Sequence, residues 1–587
     1  MANIIPKKFW NLLCVLGGWL YRFIIPSLVV VTLISGFSAY GQALPLNEVD
    51  KGKIEEKLAR MTLEEKVGQM FVLGFRGQQI DGHIRGLIHK FKPGSFIVFR
   101  RNIRTPQQIF TLNKQIQELS LKEIGLPMLL MVDQEGGTVT RIKTNPAPPS
   151  ALALGMTEDT KLVRDAGAIT GKIVSLLGFN MNLAPVMDLS DPYQNSFIGN
   201  RSFGQNPQKV KLYGEAYSTG LADSGVIPTS KHYPGHGGVI TDSHLALPKK
   251  LDTLEQLEKS ALIPFDWFAK FQYPSAIMVA HIAFPNIDPS GVPATFSKML
   301  IEDVLRKRAN YPGLVITDDI EMSAAGTIGG VGERAVRSII AGCDQVMVAW
   351  TPRKQREALI AVRDAVESGR ITLARVDESV RRILRVKLSL NPKEKAEVPR
   401  SEFLTQFTQL VGELKDITNR VSQANLDKSM RGYSYLEGAG RDLTDALVFT
   451  ADPRFFYTFR DAWGQGAKFR GLSPKYDPKI SKALAIRPDA IAIYYATGTG
   501  TVRILNNLDE TSKARMLVVN TTNPGAIFNT NQFLAVVNLN SRNFRSGAWI
   551  AEYLKKEPSL DQLREPTSEA NEARLRVLRK RKLRLQN

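Results

Sequence analysis

Half of the chain's six histidines, His232, His236 and His244, fall within KHYPGHGGVITDSHLALP (231–248), and Asp242 stands two residues before the last of them. Such a set has three uses: holding a metal, moving a proton, or shaping a loop. His232 and His236 have the spacing that puts two metal ligands on one helix face, but Pro234, Gly235 and Gly237 break any helix there. A second set, Asp133, His232, His281 and Asp318, has the residue types of a metal-dependent barrel hydrolase, yet nothing in the sequence fixes those four as ligands. No metal and no cofactor is therefore expected. Proton transfer suits the loop better. In TDSH one residue separates Asp242 from His244, so the carboxylate can lie against the imidazole, favour its charged form and set which nitrogen carries the exchangeable proton. The bland alternative makes Asp242 a loop cap and His244 a packed side chain. An acid of this kind needs a partner if it is to open a sugar acetal: a carboxylate on the opposite face of the oxocarbenium-like centre. VITDDIEM (315–322) offers one, and Asp318, directly after the apolar LVIT, is expected on a strand end while Asp319 starts the next loop.

The elements that must bring these groups together are eight short apolar runs: MFVLGF (70–75), SFIVFR (95–100), PMLLMV (127–132), MNLAPVM (181–187), VIPTS (226–230), SAIMVA (275–280), LVIT (314–317) and DQVMVAW (344–350). Helix-length segments with apolar residues at helical spacing, such as TPQQIFTLNKQIQELSLK and ERAVRSIIAG, lie between them. This alternation predicts an α/β fold, a (β/α)8 TIM-like barrel, followed by a smaller α/β layer domain. Polar residues stand just past five consecutive runs: Asp133, Asp188, Lys231 with His232, His281, and Asp318 with Asp319. In a parallel barrel those strand ends share one rim, which turns residues remote in sequence into one site.

A chain of 587 residues exceeds one core. The barrel is expected over 50–392, a linker over 393–435, the second domain over 436–556 and a basic tail over 557–587, with seven basic residues and no acid from Arg574 onward. Residues 1–43 combine Lys7 and Lys8 with a largely apolar tract and end in SAYGQA. They read as an export signal cleaved after Ala43, or as an uncleaved anchor that would associate the protein with a membrane; either way the rest is expected outside the cytosol, in the cell envelope. Cys14 lies in this leader and Cys343 stands alone, so no disulfide framework or cysteine metal site follows. The net charge of +20 is spread along the chain and points only generally to an anionic partner. ATGTGTV (496–502) lacks a phosphate-loop pattern.

KHYPGHG with DSH four residues later, and VITDDIEM downstream, resemble the signature of the glycoside hydrolase family 3 β-N-acetylglucosaminidases of peptidoglycan turnover. The similarity runs through MVDQEGGTVTRI, APVMDL, IGNRSFG and VAHIAFPNIDPSGVPATFS and covers residues 60–392. It implies a retaining mechanism with Asp318 as nucleophile, His244 paired with Asp242 as acid/base, and sugar contacts from Asp133, Arg141, Arg201, Lys231 and His232. His236 and His281 are read as shaping the site. Thr138 and Ile320 depart from the pattern, and the leader and trailing domain match larger exported relatives rather than compact cytosolic ones. The expected partner is a carbohydrate, terminal N-acetylglucosamine on wall fragments, and not a nucleic acid. Two rivals keep the barrel: a β-N-acetylglucosaminide phosphorylase, since a histidine acid/base spares an incoming phosphate a second carboxylate, and a wall-binding protein without catalysis.

Overall fold

The computed structural model describes Pro45, residues 49–191, 198–237, 247–390 and 400–431 and, with short breaks, 447–555. The leader and the basic tail lie outside the described residues.

Eight parallel strands close into a barrel whose neighbours in space are neighbours in sequence. They are β1 (Phe71–Gly74), β2 (Ser95–Val98), β3 (Leu129–Val132), β4 (Met181–Asn182), β5 (Ile227–Tyr233), β6 (Ala276–Val279), β7 (Leu314–Asp319) and β8 (Gln345–Val348), with β8 paired back onto β1. Every residue of these strands is buried except Asp318. That explains why the sequence shows unbroken apolar runs instead of alternation: parallel strands covered by helices bury both faces. The helix Pro106–Glu123 illustrates how the connections are punctuated. Thr105 accepts the N–H of Gln108, Pro106 occupies the first turn where its missing N–H is harmless, and Ile109, Leu112 and Ile116 face inward.

Three details differ from expectation. The run 181–187 forms only a two-residue strand, because Pro185 has no N–H for the ladder; pairing with β5 resumes at a bridge from Val186 to Lys231. Strand β5 continues through Tyr233, so Lys231 and His232 belong to the strand rather than to the loop after it. Its register against β6 shifts between Lys231 and Tyr233, an irregularity that re-aims side chains at a barrel rim. Asp319 likewise ends β7 instead of opening the next loop.

Most of the stretch expected as a linker is a 32-residue helix, Arg400–Arg431. Leu410, Leu414 and Val421 recur at helical spacing and pack into the barrel's hydrophobic cluster, while Leu426 joins the cluster of the second domain. Asn425 donates to the Ala153 carbonyl at 2.8 Å. The segment is thus a structural connector. Beyond it lie β9 (Leu447–Thr450), β10 (Arg470–Leu472), β11 (Ala492–Ala496), β12 (Met516–Asn520) and β13 (Ala535–Asn538), in the all-parallel order β10-β9-β11-β12-β13. All five lie within the stretch 436–556 expected as the smaller α/β domain.

Candidate active site

The residues past β3 form a short hairpin, Gln134–Gly136 against Val139–Thr140. Gln134 holds it closed: its Oε1 accepts the N–H groups of Arg141 and Ile142 at 3.0 Å each, and its Nε2 donates to the Ile142 carbonyl. Asn182 at the end of β4 grips the Gln134 backbone from the other side, with both bonds at 3.0 Å. Gly136 has a φ of +100°, and a Cβ there would lie 2.0 Å from the Pro149 carbonyl oxygen, so the turn requires glycine. The hairpin brings Arg141 back over the strand end, where its guanidinium meets Asp133 at 3.2 Å.

Lys231, on β5, sits between two carboxylates, 2.9 Å from Asp133 and 2.7 Å from Glu135, and Glu135 accepts two bonds from Arg201 at 2.8 Å each. Three cations and two carboxylates from four segments therefore interlock in a largely buried lattice. Burial pushes the Glu135 carboxyl up, but Arg201 and Lys231 outweigh it and hold the pKa at about 2. Asp133 is likewise lowered against the cost of burial by Lys231 and Arg141. Burial lowers the Lys231 ammonium, yet the two carboxylates raise it above its ordinary value.

Asp188, fully buried, fixes the histidine side of the site. Its carboxylate meets His232 Nδ1 at 2.6 Å and accepts the His236 N–H at 2.6 Å. Burial opposes ionisation, but His232 and His236 hold the Asp188 pKa at about 2. Burial lowers His236 to about 4, so it is a neutral ring at physiological pH.

Asp318 accepts the N–H of Asp319 at 2.7 Å, and among the described residues its second carboxylate oxygen has no hydrogen-bond partner. Burial raises its pKa, and His281, His232, the Asp319 N–H and Lys231 together bring it below the ordinary value. Its neighbour behaves oppositely. Asp319 accepts from the N–H groups of Glu321 and Ala349, and burial, with Glu321 and Asp318 nearby, raises its pKa to about 7. His281 bridges from Thr295, at 2.8 Å, to the Asp319 carbonyl, at 3.1 Å, and so braces the end of β7.

A carboxyl whose folded pKa lies above its unfolded one supports folding below about pH 4 and loses that support as pH rises through 7. Asp319→Asn keeps the accepting oxygen and removes the titration. Thermal unfolding should therefore find the variant more stable than wild type at pH 8.5, on the order of a few kcal/mol, and equal to it near pH 4. Curves that stay parallel across that range would contradict the assignment.

Asp133, Arg141, Arg201, Lys231, His232 and Asp318 all line one cavity of about 340 Å³, together with Glu135, His236 and apolar residues that include Ile97, Leu183, Met278 and Met347. Six of the eight expected site residues are thus brought together. The other two, Asp242 and His244, lie outside the described residues. Among the described residues no three histidine, cysteine, aspartate or glutamate side chains are placed to hold a metal ion, and the Asp133, His232, His281 and Asp318 set is not assembled as ligands. Sequence reasoning leaves Glu135 and Asp188 without roles. Their signal is present: Glu135 is two residues from Asp133, and Asp188 follows the fourth apolar run.

Over residues 62–386 the chain matches the Glycosyl hydrolase family 3 N terminal domain. A Beta-hexosaminidase of Idiomarina loihiensis is 30% identical over 336 residues, 56% of this chain and 96% of that protein. Its namesake in Pseudomonas aeruginosa strain PAO1 is 31% identical over 294 residues, 50% of this chain and 86% of that protein. The solved structure of a glycoside hydrolase family 3 beta-N-acetylglucosaminidase from Paenibacillus sp. str. FPU-7 superposes with a TM-score of 0.71 at 28% identity, covering 85% of this chain and 97% of that one. The matched segment is the barrel that carries the cavity, and the chain belongs to glycosyl hydrolase family 3 as a glycoside hydrolase.

Proposed function

We propose that this enzyme is an exo-acting β-N-acetylglucosaminidase that removes terminal N-acetylglucosamine from peptidoglycan fragments with retention of configuration. The observation that carries the reading is one cavity shared by an available carboxylate, Asp318, and a charged lattice built from Asp133, Arg141, Lys231 and Arg201. Sugar hydroxyls are both donors and acceptors, so neighbouring carboxylates and cations serve each of them twice. The shared name of the curated relatives supports a β-linked N-acetylhexosamine as the sugar.

In this reading Asp318 attacks the anomeric carbon as its bond to the leaving oxygen breaks, giving a glycosyl ester. His244, polarised by Asp242, gives that oxygen a proton and later removes one from the water that cleaves the ester. The segment carrying this pair leaves the described chain at Gly237, directly after His236, which lines the cavity. His244→Ala should slow a poor leaving group, such as a second sugar, by on the order of 10²-fold or more and leave a nitrophenyl glycoside much less affected. Equal losses on both would remove His244 from the role. The leader at 1–43 is proposed to deliver the enzyme to the cell envelope, where wall fragments arise.

Incubating the protein with chitobiose and with muropeptides, with and without phosphate, and reading products by mass and anomeric configuration by NMR tests the proposal. Free N-acetylglucosamine released first as the β-anomer supports it. Inverted product, sugar 1-phosphate, or no turnover of either substrate would contradict it.

A further inference from the structure

The fully buried carboxylate of Asp188 works in two halves. Its Oδ1 accepts the backbone N–H groups of His232 at 3.2 Å and His236 at 2.6 Å, while its Oδ2 meets His232 Nδ1 at 2.6 Å. Ser202 donates to the Asp188 carbonyl at 2.6 Å and holds its backbone in place. An ionised carboxylate can only accept, so the hydrogen in the contact with the ring belongs to Nδ1. In the neutral ring the other nitrogen, Nε2, then carries a lone pair.

That nitrogen is the open end of the ring. His232 lines the cavity, and among the described residues nothing is hydrogen-bonded to Nε2. The His236 ring packs against it with centroids 5.8 Å apart and planes at 69°, which hinders a flip that would exchange the two nitrogens.

The rest of the lining makes a lone pair useful there. Arg141, Lys231 and Arg201 are donors only, and they already engage both oxygens of Asp133 and both of Glu135. A sugar hydroxyl that accepts from one of these cations still has its own hydrogen to place, and Nε2 is an acceptor not yet engaged. We infer that Asp188 is a positioning residue that holds His232 in the tautomer with a bare Nε2, and that this nitrogen accepts a hydrogen bond from one hydroxyl of the sugar and so selects sugars that present it. This rests on the reading of the cavity as the site for the terminal sugar.

Asp188→Asn tests it by changing one group. The amide oxygen keeps the two backbone N–H bonds, which turns the NH2 toward Nδ1 and moves the ring hydrogen to Nε2, so the cavity meets a donor in place of an acceptor. The probes are nitrophenyl N-acetyl-β-glucosaminides in which fluorine, which cannot donate, replaces each free hydroxyl in turn. Fluorine also slows the reaction by induction, but that part is common to both proteins and cancels in their ratio. Relative to the unsubstituted glycoside, the kcat/KM penalty at one position should shrink by on the order of tenfold in Asp188→Asn, with the penalties at the other positions unchanged. Penalties that stay the same, or that shift alike at every position, overturn the inference and leave Asp188 as a support of the fold. Nitrogen-15 spectra of the wild-type imidazole rings read the tautomer without a variant that must fold: His232 should show a protonated Nδ1 and a bare Nε2 at about pH 8. A hydrogen on Nε2 there overturns the inference as well. A wild-type protein inactive on the unsubstituted glycoside would overturn the proposed function itself, and the hydroxyl contact with it.

Discussion

Asp318→Asn is expected to lower kcat on an aryl N-acetyl-β-glucosaminide by on the order of 10⁴-fold, with the fold and melting temperature preserved. The size follows from what is removed. Asp318 is the one strand residue of the barrel that is only partly buried, it lines the cavity, and among the described residues its second oxygen has no hydrogen-bond partner. An amide keeps the shape and loses the proposed nucleophile. Structural damage should be small, because the hydrogen bond from the Asp319 N–H can be made to an amide oxygen as well. Asp319→Asn provides the contrast, since Asp319 is absent from the cavity lining and its oxygen is engaged with Glu321 and Ala349. Activity lost only in the second variant would exchange the roles of the two residues.

Lys231→Met should act on stability and activity together. The ammonium is buried between Asp133 and Glu135, and its removal leaves each carboxylate with one cationic partner among the described residues, Arg141 for Asp133 and Arg201 for Glu135. Breaking a buried charge lattice at its central cation costs about 3–5 kcal/mol, which urea unfolding at neutral pH would read. The same change removes a charged donor proposed to meet the sugar's hydroxyls, so kcat/KM should fall on the order of 10²-fold or more. Lys231→Arg is not expected to rescue either property, because the longer planar fork does not fit a site shaped for a single point charge. A methionine variant as stable as wild type would show that the lattice does not carry ionised groups.

What the sequence discloses and what it conceals have a common physical basis. All eight barrel strands are visible because burial on both faces removes polar residues from parallel strands, leaving short apolar runs that need no alignment to see. Asp318 is visible for the same reason: a carboxylate at the end of LVIT breaks the apolar rule and must be placed for a purpose. The charged lattice is only half legible. Asp133 and Lys231 stand at strand ends, but their sharing of Glu135 depends on a hairpin clasped by Gln134 and Asn182, whose bonds span up to 48 positions. Asp188 is conspicuous yet idle in the sequence, since nothing local indicates that it will receive the His232 ring and the His236 N–H from another strand. The helix Arg400–Arg431 reads as a linker because Lys, Glu and Pro just before it mask apolar spacing that needs the barrel surface as its partner.

The most direct measurement is peptide mass analysis after brief reaction with a fluorinated N-acetylglucosaminyl fluoride, a substrate that forms the glycosyl ester faster than water removes it. One N-acetylglucosaminyl-derived increment should appear on the peptide containing VITDDIEM and map to Asp318, and it should be absent from Asp318→Asn. A label on another residue, or full turnover with no covalent adduct at any time, would contradict the assignment of Asp318 as the attacking group.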